Sequence, residues 1–403
     1  EGEINTLESI LPVLGNIGLI MIVLEAALDL ELSTGKIGRI VRSLSVALLG
    51  LVITVFAGVA IIYYGFKEFY HTEPSFMQCL AYSIPLSIMS SAIVIPSVIS
   101  LRRDKREFMI YESTFSDILG IMFFYFLMGN AESESAQNVF LNIAGNIILT
   151  LILAAIVSYG LVYMFQRIKS QVKLFLIISV LMLMYALGKK LHLSSLVIIL
   201  SFGLVLNNPG IFFRGRLSNF VNTRTVAPIM RDFHVITLET SFVIRTFFFI
   251  IFGVTISLTS LINWKVAAIA GALLFSMYLI RYILMRIILK KRFKTQLFLA
   301  PRGLITILLY FSILSEHPEF IIPEFDPGIL LYVIILTSII MAIALITDRG
   351  EKVTEVIFSN IKENIQDLRD LPRSMLHEMQ REEEKKEDEP EDKPEEEKEP
   401  EEK

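Results

Sequence analysis

The sequence predicts an all-α polytopic membrane protein, and three observations support that fold class. Hydrophobic residues make up 54% of the 403 residues. Apolar runs of about 20 residues, the length that crosses the hydrocarbon core of a bilayer, recur along most of the chain. Lys and Arg are concentrated in alternate loops between these runs, which is the pattern of a chain that crosses a membrane repeatedly.

Eleven spans are predicted from these runs. They cover residues 9–29, 43–65, 77–100, 108–129, 138–166, 173–190, 194–208, 233–258, 263–288, 296–315 and 328–347. The basic loops are expected to be cytoplasmic, whereas the opposite loops carry acidic stretches such as AESES and EHPEFIIPEFDP. We therefore expect the start of the given sequence to lie outside and its C-terminus to be cytoplasmic.

The third and tenth spans are predicted to be discontinuous, and the seventh, LSSLVIILSFGLVLNN, is short. The third span carries Pro85 and Pro96 around a group of serines, and the tenth begins with LAPRGLIT. A proline inside a helix removes a backbone hydrogen bond and frees a carbonyl. Short or Pro/Gly-interrupted spans in both halves of a membrane chain indicate a transporter built from inverted repeats, with its site near the midplane.

The fourth span contains two carboxylates, Glu112 and Asp117, and an ionisable group at bilayer depth is costly unless it has a partner or a function. A spacing of five residues places them on different faces of one helix. Asp117 follows Ser116, and both offer the hard oxygen ligands that suit cations, so we predict an ion or proton site there. The alternative is that Asp117 is satisfied by an arginine or by backbone donors and serves packing. For Glu112 we favour a structural salt bridge to one of the intramembrane arginines Arg245, Arg281 and Arg302.

Three regions are predicted along the chain. Residues 1–348 form the transmembrane domain, 349–378 a cytoplasmic amphipathic helix, and 379–403 a disordered acidic tail with almost no apolar residues. The single cysteine, Cys79, excludes an intramolecular disulfide. No G-x-G-x-x-G motif follows the last span. The sequence also contains no Ser-His-Asp pattern and no Cys/His spacing typical of a metal site. We therefore expect no cofactor, no nucleotide-binding domain, no nucleic-acid partner and no enzymatic activity.

Five segments resemble one family when they are taken in order. YESTFSDILG is similar to the E-S-x-x-N-D-P segment of sodium/proton exchangers and to the Q-D segment of Kef-type potassium/proton antiporters. LSIMSSAIVIPSVISLRR resembles the Kef-type S-S-T-A segment, and ESILPVLGNIGLIMIVLEAALDLEL resembles the family's third helix. FLAPRGLITILL and LSSLVIILSFGLVL resemble the G-x-R-G and L-S-x-x-x-G-A-F-x-A-G segments. Over about 340 residues, the chain thus resembles the monovalent cation/proton antiporter superfamily.

The resemblance implies an inverted-repeat antiporter fold with two crossing discontinuous helices. It also implies thirteen helices in the full chain, so we expect two further spans before the first residue given. By the same resemblance, Asp117 is the carboxylate at which Na⁺ or K⁺ competes with a proton, Glu112 pairs with Arg281, and Arg302 is structural. Ser116 and the serines of the broken third span, Ser90 and Ser91, would complete the ion site. The family further implies a homodimer in the plasma or inner membrane with a role in pH homeostasis.

The chain departs from the family pattern at four places, one of which is Ala27 in place of the family's Gly. Exchangers usually carry an acid in the broken helix where this chain reads Ser90, Ser91 and Ala92. Glu25 stands where the family is apolar or aromatic, and we expect it either to snorkel to the cytoplasmic surface or to line the inward cavity. Arg245, in the eighth span, is also unusual.

These observations lead to a functional hypothesis of secondary antiport by alternating access. With one carboxylate at the site, one proton or one monovalent cation is held at a time, which predicts electroneutral 1:1 exchange. The alternatives are a gated K⁺ efflux channel and a non-transporting sensor on the same fold, both suggested by the missing acid of the third span. Residue identities favour neither Na⁺ nor K⁺.

Overall fold

The computed structural model describes residues 17–30, 32, 34–129, 152–163, 173–190, 195–213, 223–255, 260, 262–290 and 293–348. All the regular secondary structure in these ranges is helical. The expectations for residues 349–378 and 379–403 lie outside the described residues.

The described helices are numbered in chain order. They are α1 (residues 17–29), α2 (Ile37–Tyr70), α3 (Phe76–Ser87), α4 (Ser91–Ser97), α5 (Arg103–Gly129), α6 (Ile152–Tyr163), α7 (Lys173–Lys190), α8 (Ser195–Asn207), α9 (Pro209–Phe212), α10 (Thr223–Thr255), α11 (Trp264–Ile288), α12 (Lys294–Phe298), α13 (Leu304–Glu316) and α14 (Gly328–Asp348). Short 3₁₀ turns occupy Thr34–Lys36 and Pro318–Phe320.

Each of the eleven predicted spans overlaps at least one of these helices. Six of the described helices, with α3 and α4 taken as one, are long and apolar enough to cross a membrane. The third span is interrupted between Ser87 and Ser91, and the tenth between Phe298 and Leu304. The predictions of an all-α membrane protein and of two discontinuous helices are therefore confirmed.

The interruption of the third span follows from its sequence. Helix α3 begins with a capping box, in which Ser75 Oγ accepts from the Gln78 N–H and Gln78 Oε1 accepts from the Ser75 N–H. Pro85 lies in its last turn and has no N–H to continue the helical ladder. At Ile88 and Ser90 the backbone is extended, with ψ angles of 130° and 111°, before α4 begins.

Helix α2 is the main packing partner around the site. It contacts α3, α5 and α11, while α13 packs on α3 and α5. Ser83 Oγ in α3 donates to the Val55 carbonyl of α2 at 2.7 Å, which fixes the first half of the broken span against α2. Exposed large apolar side chains on other faces of the long helices suit contact with lipid; examples are Phe56 of α2, Phe242 of α10, Phe275 of α11 and Ile343 of α14.

Candidate functional site

The two interruptions contact each other directly. The Ser90 N–H donates to the Pro301 carbonyl at 2.9 Å, so extended backbone from each broken span is bonded to the other. Gly303 makes this approach feasible, because a Cβ there would lie 2.6 Å from Ser90 Oγ. The broken spans therefore cross at their breaks.

Helix α5 binds the backbone N–H groups on either side of Ser90. The Met89 N–H donates to Ser116 Oγ at 2.9 Å, and the Ser91 N–H donates to Asp117 Oδ2 at 3.0 Å. These are groups that an uninterrupted helix would have paired internally. Two consecutive residues of α5 thus accept hydrogen bonds from the backbone N–H groups that the break leaves free.

The carbonyl groups released at the end of α3 are bound by the tenth span. Thr306 Oγ1 donates to the Pro85 carbonyl at 2.8 Å, and Arg302 Nε donates to the Leu86 carbonyl at 2.9 Å. Arg302 Nη1 also donates to the Ala300 carbonyl at 2.8 Å, and Arg302 is only 6% exposed. Its guanidinium therefore links the two breaks through backbone carbonyls.

Asp117 lies at this crossing and is 2% exposed. Its Oδ2 accepts from Ser91, but its buried Oδ1 has no hydrogen-bond partner among the described residues. Ser90 and Ser91 are buried in the facing segment. One turn before Asp117 on α5, the buried hydroxyl of Thr114 also lacks a partner in the described part of the chain. The site thus offers a desolvated carboxylate oxygen that a proton or a cation can take.

Glu112 occupies a different face of α5 and is bound by Arg281. Arg281 Nη1 contacts Glu112 Oε1, and Arg281 Nη2 donates to Glu112 Oε2 at 3.0 Å. The same guanidinium donates to the carbonyls of Leu297 and Gln296, each at 2.9 Å. Three nitrogens of Arg281 are therefore engaged, and the pair joins α5 to α11 and α12.

Ser116 is turned toward this second face rather than toward Asp117. Its hydroxyl accepts from Met89 and lines a small cavity together with Glu112, Tyr278, Arg281 and Arg302. Although Ser116 and Asp117 are adjacent in sequence, the structure gives them separate surroundings.

Glu25 and Arg245 form a second ion pair, partly buried, between α1 and α10. Arg245 Nη2 donates to Glu25 Oε1 at 2.9 Å and to Oε2 at 2.8 Å. One turn further along α1, Asp29 Oδ1 lies 2.9 Å from His234 Nε2. The sequence analysis singled out both residues but did not predict this pair, since it considered Arg245 as a possible partner of Glu112.

Thr306 and Thr337 are site-supporting residues that the sequence analysis missed. Thr306 satisfies the Pro85 carbonyl, and Thr337 Oγ1 accepts from the Arg302 N–H at 3.0 Å. The available signal was the proline inside the third span, since a carbonyl freed there needs a donor from another helix.

Comparison with known proteins identifies the family to which this architecture belongs. Residues 3–347 match the family model described as "Sodium/hydrogen exchanger, transmembrane". The chain belongs to the sodium/hydrogen exchanger family. It is therefore a multi-pass membrane protein of a cation/proton antiporter family. No curated protein matches the chain.

Solved structures of an archaeal antiporter share the exchanger's fold. The structure of the sodium proton antiporter MjNhaP1 from Methanocaldococcus jannaschii at pH 8 matches with a TM-score of 0.60 and 20% identity, covering 87% of this chain and 86% of that one. An electron-microscopy structure of the same antiporter matches with a TM-score of 0.57 and 20% identity, covering 84% and 83%. At this identity the likeness shows the fold alone.

Proposed function

We propose that this exchanger carries out electroneutral exchange of one proton for one Na⁺ or K⁺ at Asp117. The observation that carries the proposal is the Asp117 carboxylate, 2% exposed at the crossing of the breaks, with Oδ1 unpartnered among the described residues. A single carboxylate neutralises one proton or one monovalent cation, but not both. The site carries one positive charge in each direction, a proton one way and a monovalent cation the other. No net charge therefore crosses the membrane in a cycle.

The surroundings of Asp117 suit an alkali cation. Carboxylate, hydroxyl and backbone carbonyl oxygens are the hard ligands that such ions take. We propose that Ser90, Ser91 and Thr114 supply hydroxyls beside Asp117. Ser116 contributes indirectly, because its hydroxyl holds the Met89 N–H and so fixes the extended segment that carries the serines.

We further propose a membrane orientation and an assembly. Basic residues cluster at the N-terminal ends of α2 and α5, at positions 36, 39, 42, 102, 103, 105 and 106, which supports a cytoplasmic location for that side. The C-terminus would lie on the same side, in a plasma or inner membrane. A homodimer in which one bundle moves against a fixed scaffold would give alternating access.

Proteoliposomes that contain a pH dye test the proposed exchange. A pulse of Na⁺ or K⁺ should change the internal pH of vesicles with the wild-type protein, and Asp117→Asn should abolish the change. Asp104→Asn is the matched control, since Asp104 lies on the same helix but its side chain is 62% exposed. Intact exchange in Asp117→Asn would refute the site. A net cation current under voltage clamp, without coupled proton movement, would indicate a channel instead of an exchanger.

A further inference from the structure

The cavity beside Ser116 has an unbalanced charge on its wall. Its volume is about 40 Å³, and the charged residues that line it are Glu112, Arg281 and Arg302. Both oxygens of Glu112 are bound by Arg281, so these two charges cancel each other. In the described part of the chain, the side-chain hydrogen bonds of Arg302 go to two backbone carbonyls and not to a carboxylate. The cavity therefore carries one net positive charge.

Four hydrogen-bond donors on the same wall are unused. The Nη2 group of Arg302 forms no hydrogen bond with the described residues, because the two carbonyls are bound by Nε and Nη1. The buried hydroxyl of Tyr278 has no partner among those residues, and the hydroxyl of Thr54, a residue only 5% exposed, has none either. Ser116 accepts from the Met89 N–H, but no described group accepts its own hydroxyl proton.

This lining suits a small anion. A buried charge without a counter-ion is costly, and the one carboxylate among the lining residues is already neutralised. The volume exceeds the roughly 10–15 Å³ that one water needs, which leaves room for a single small ion but not for an organic anion. Apolar side chains complete the wall and keep screening weak; they include Val46, Leu51, Met277 and Leu284.

We propose that this cavity binds one monovalent anion of the size of chloride, which balances the charge of Arg302. Its donors are Nη2 of Arg302 and the hydroxyls of Tyr278, Thr54 and Ser116. Arg302 and Ser116 also hold backbone groups of the broken third span, so the anion stabilises the crossing of the two breaks. The anion is a bound ligand rather than a transported ion, and the site is separate from the proposed exchange at Asp117.

Thermal unfolding of the full chain in detergent tests this site. The protein is titrated with choline chloride against choline gluconate at constant ionic strength, so that neither Na⁺ nor K⁺ is varied. The midpoint should rise saturably with chloride, by about 2 °C or more at a tenfold excess over the half-saturating concentration. Gluconate is too large for the cavity and should have no such effect. Bromide should replace chloride, and its anomalous scattering in crystals should place it beside the Tyr278 hydroxyl.

A tyrosine substitution with a matched control tests the donors. Tyr278→Phe removes one hydroxyl and keeps the ring that packs on Phe298. The half-saturating chloride concentration should rise about tenfold or more, because a hydrogen bond to a charged group is lost. Tyr282→Phe changes the same helix at a residue that is 49% exposed and outside the cavity lining. It should keep the wild-type response to chloride.

Two charge variants should move the chloride response in opposite directions. Glu112→Gln raises the net charge of the cavity, so the half-saturating chloride concentration should fall. Arg302→Gln removes the unbalanced charge and should abolish the response. Both substitutions affect buried contacts, and if either variant does not fold, Tyr278→Phe and the nearly isosteric Thr54→Val still decide the outcome. A general salt effect on stability would instead shift all variants alike.

The outcomes separate this inference from the proposed function. A saturable response specific to chloride and bromide, weakened in Tyr278→Phe and Thr54→Val, would support the anion site. Equal midpoints in chloride and gluconate, or an unchanged response in both variants, would show that the cavity holds water only. These measurements contain no transported cation. They therefore stand even if Asp117→Asn retains exchange and the proposed transport site fails.

Discussion

The backbone N–H of Ser90 is bonded to the carbonyl of Pro301 at 2.9 Å, and this contact joins the two broken spans at their interruptions. Each break therefore supplies hydrogen-bond partners that the other lacks. Four side chains satisfy further backbone groups of the third span. They are Thr306 and Arg302 from the tenth span and Ser116 and Asp117 from α5. Because Asp117 is one of these partners, the binding that we propose at its carboxylate would act directly on the backbone of the crossing.

Gly303→Ala is expected to disrupt the crossing. The added Cβ would lie 2.6 Å from Ser90 Oγ and 2.9 Å from both Ser90 Cβ and Ile93 Cδ1, so the two breaks must separate. Overpacking of this kind costs about 1–3 kcal/mol. We expect a lower thermal midpoint in detergent and a large loss of exchange in proteoliposomes.

Gly271→Ala is the matched control for that substitution. Gly271 lies in α11, and an added Cβ would meet nothing within 4 Å. Its exchange rate should match the wild-type value, and its thermal midpoint should equal or slightly exceed it, because alanine favours the helix over glycine. Equal behaviour of the two alanine variants would contradict the tight crossing at Gly303.

Thr306→Val is expected to lower the stability of the exchanger without removing a proposed ligand of the transported ion. It removes the donor to the Pro85 carbonyl, which an uninterrupted helix would have satisfied internally. A buried acceptor left without a donor costs about 1–3 kcal/mol. Denaturation in mixed micelles should show this loss, while Thr246→Val, at an exposed position of α10, should stay within about 0.5 kcal/mol of wild type. Equal stability of the two variants would show that the Pro85 carbonyl does not need Thr306.

The interruptions of the third and tenth spans were predictable because their cause is local. Pro85 and the Pro301–Gly303 segment act on their own backbone, so composition within one span reveals the break. Burial of Asp117 was predictable for a similar reason, since an acid within an apolar run must lie inside the bundle. These are properties of single helices.

The pairing of side chains was less predictable because it depends on distant elements. Three intramembrane arginines were candidates for Glu112 from sequence spacing alone, and the family resemblance pointed to Arg281. Glu25 and Arg245 are 220 residues apart, and no periodicity joins them. The orientation of Ser116 was also hidden, because its partner is the Met89 N–H, which becomes free only when α3 ends. Such contacts follow from how helices pack.

Glu112→Gln is expected to affect stability far more than transport. Loss of the carboxylate charge leaves Arg281 uncompensated inside the bundle, which costs about 3–5 kcal/mol. The half-saturating cation concentration of the protein that remains folded should stay at the wild-type value. Thermal unfolding and exchange assays on the same preparation measure both effects.

Two comparisons make the Glu112 prediction specific. The double variant Glu112→Met/Arg281→Met removes both charges and should recover part of the stability, because no buried ion is left unpaired although the carbonyls of Leu297 and Gln296 lose their donor. Lys67→Gln breaks an exposed pair that water screens, so its thermal midpoint should stay close to the wild-type value. A changed half-saturating concentration in Glu112→Gln, with unchanged stability, would assign Glu112 to the transport site instead.

The pH dependence of cation affinity tests whether one carboxylate is shared. With equal pH on both sides of the vesicle membrane, a fall in pH increases protonation of the Asp117 carboxylate, so more cation is needed to displace the proton. For a single site, the half-saturating cation concentration should rise by at most about tenfold for each unit of pH decrease, by mass action. The maximal rate at saturating cation should change much less than the half-saturating concentration.

Initial rates measured over a series of cation concentrations at each pH, with Na⁺ and K⁺ in turn, give the slope of the half-saturating concentration against pH. Asp104→Asn should keep it, because Asp104 lies at the exposed end of α5. A slope approaching a hundredfold per pH unit would mean that two protons compete with each cation, and no slope would mean that proton and cation bind at separate groups.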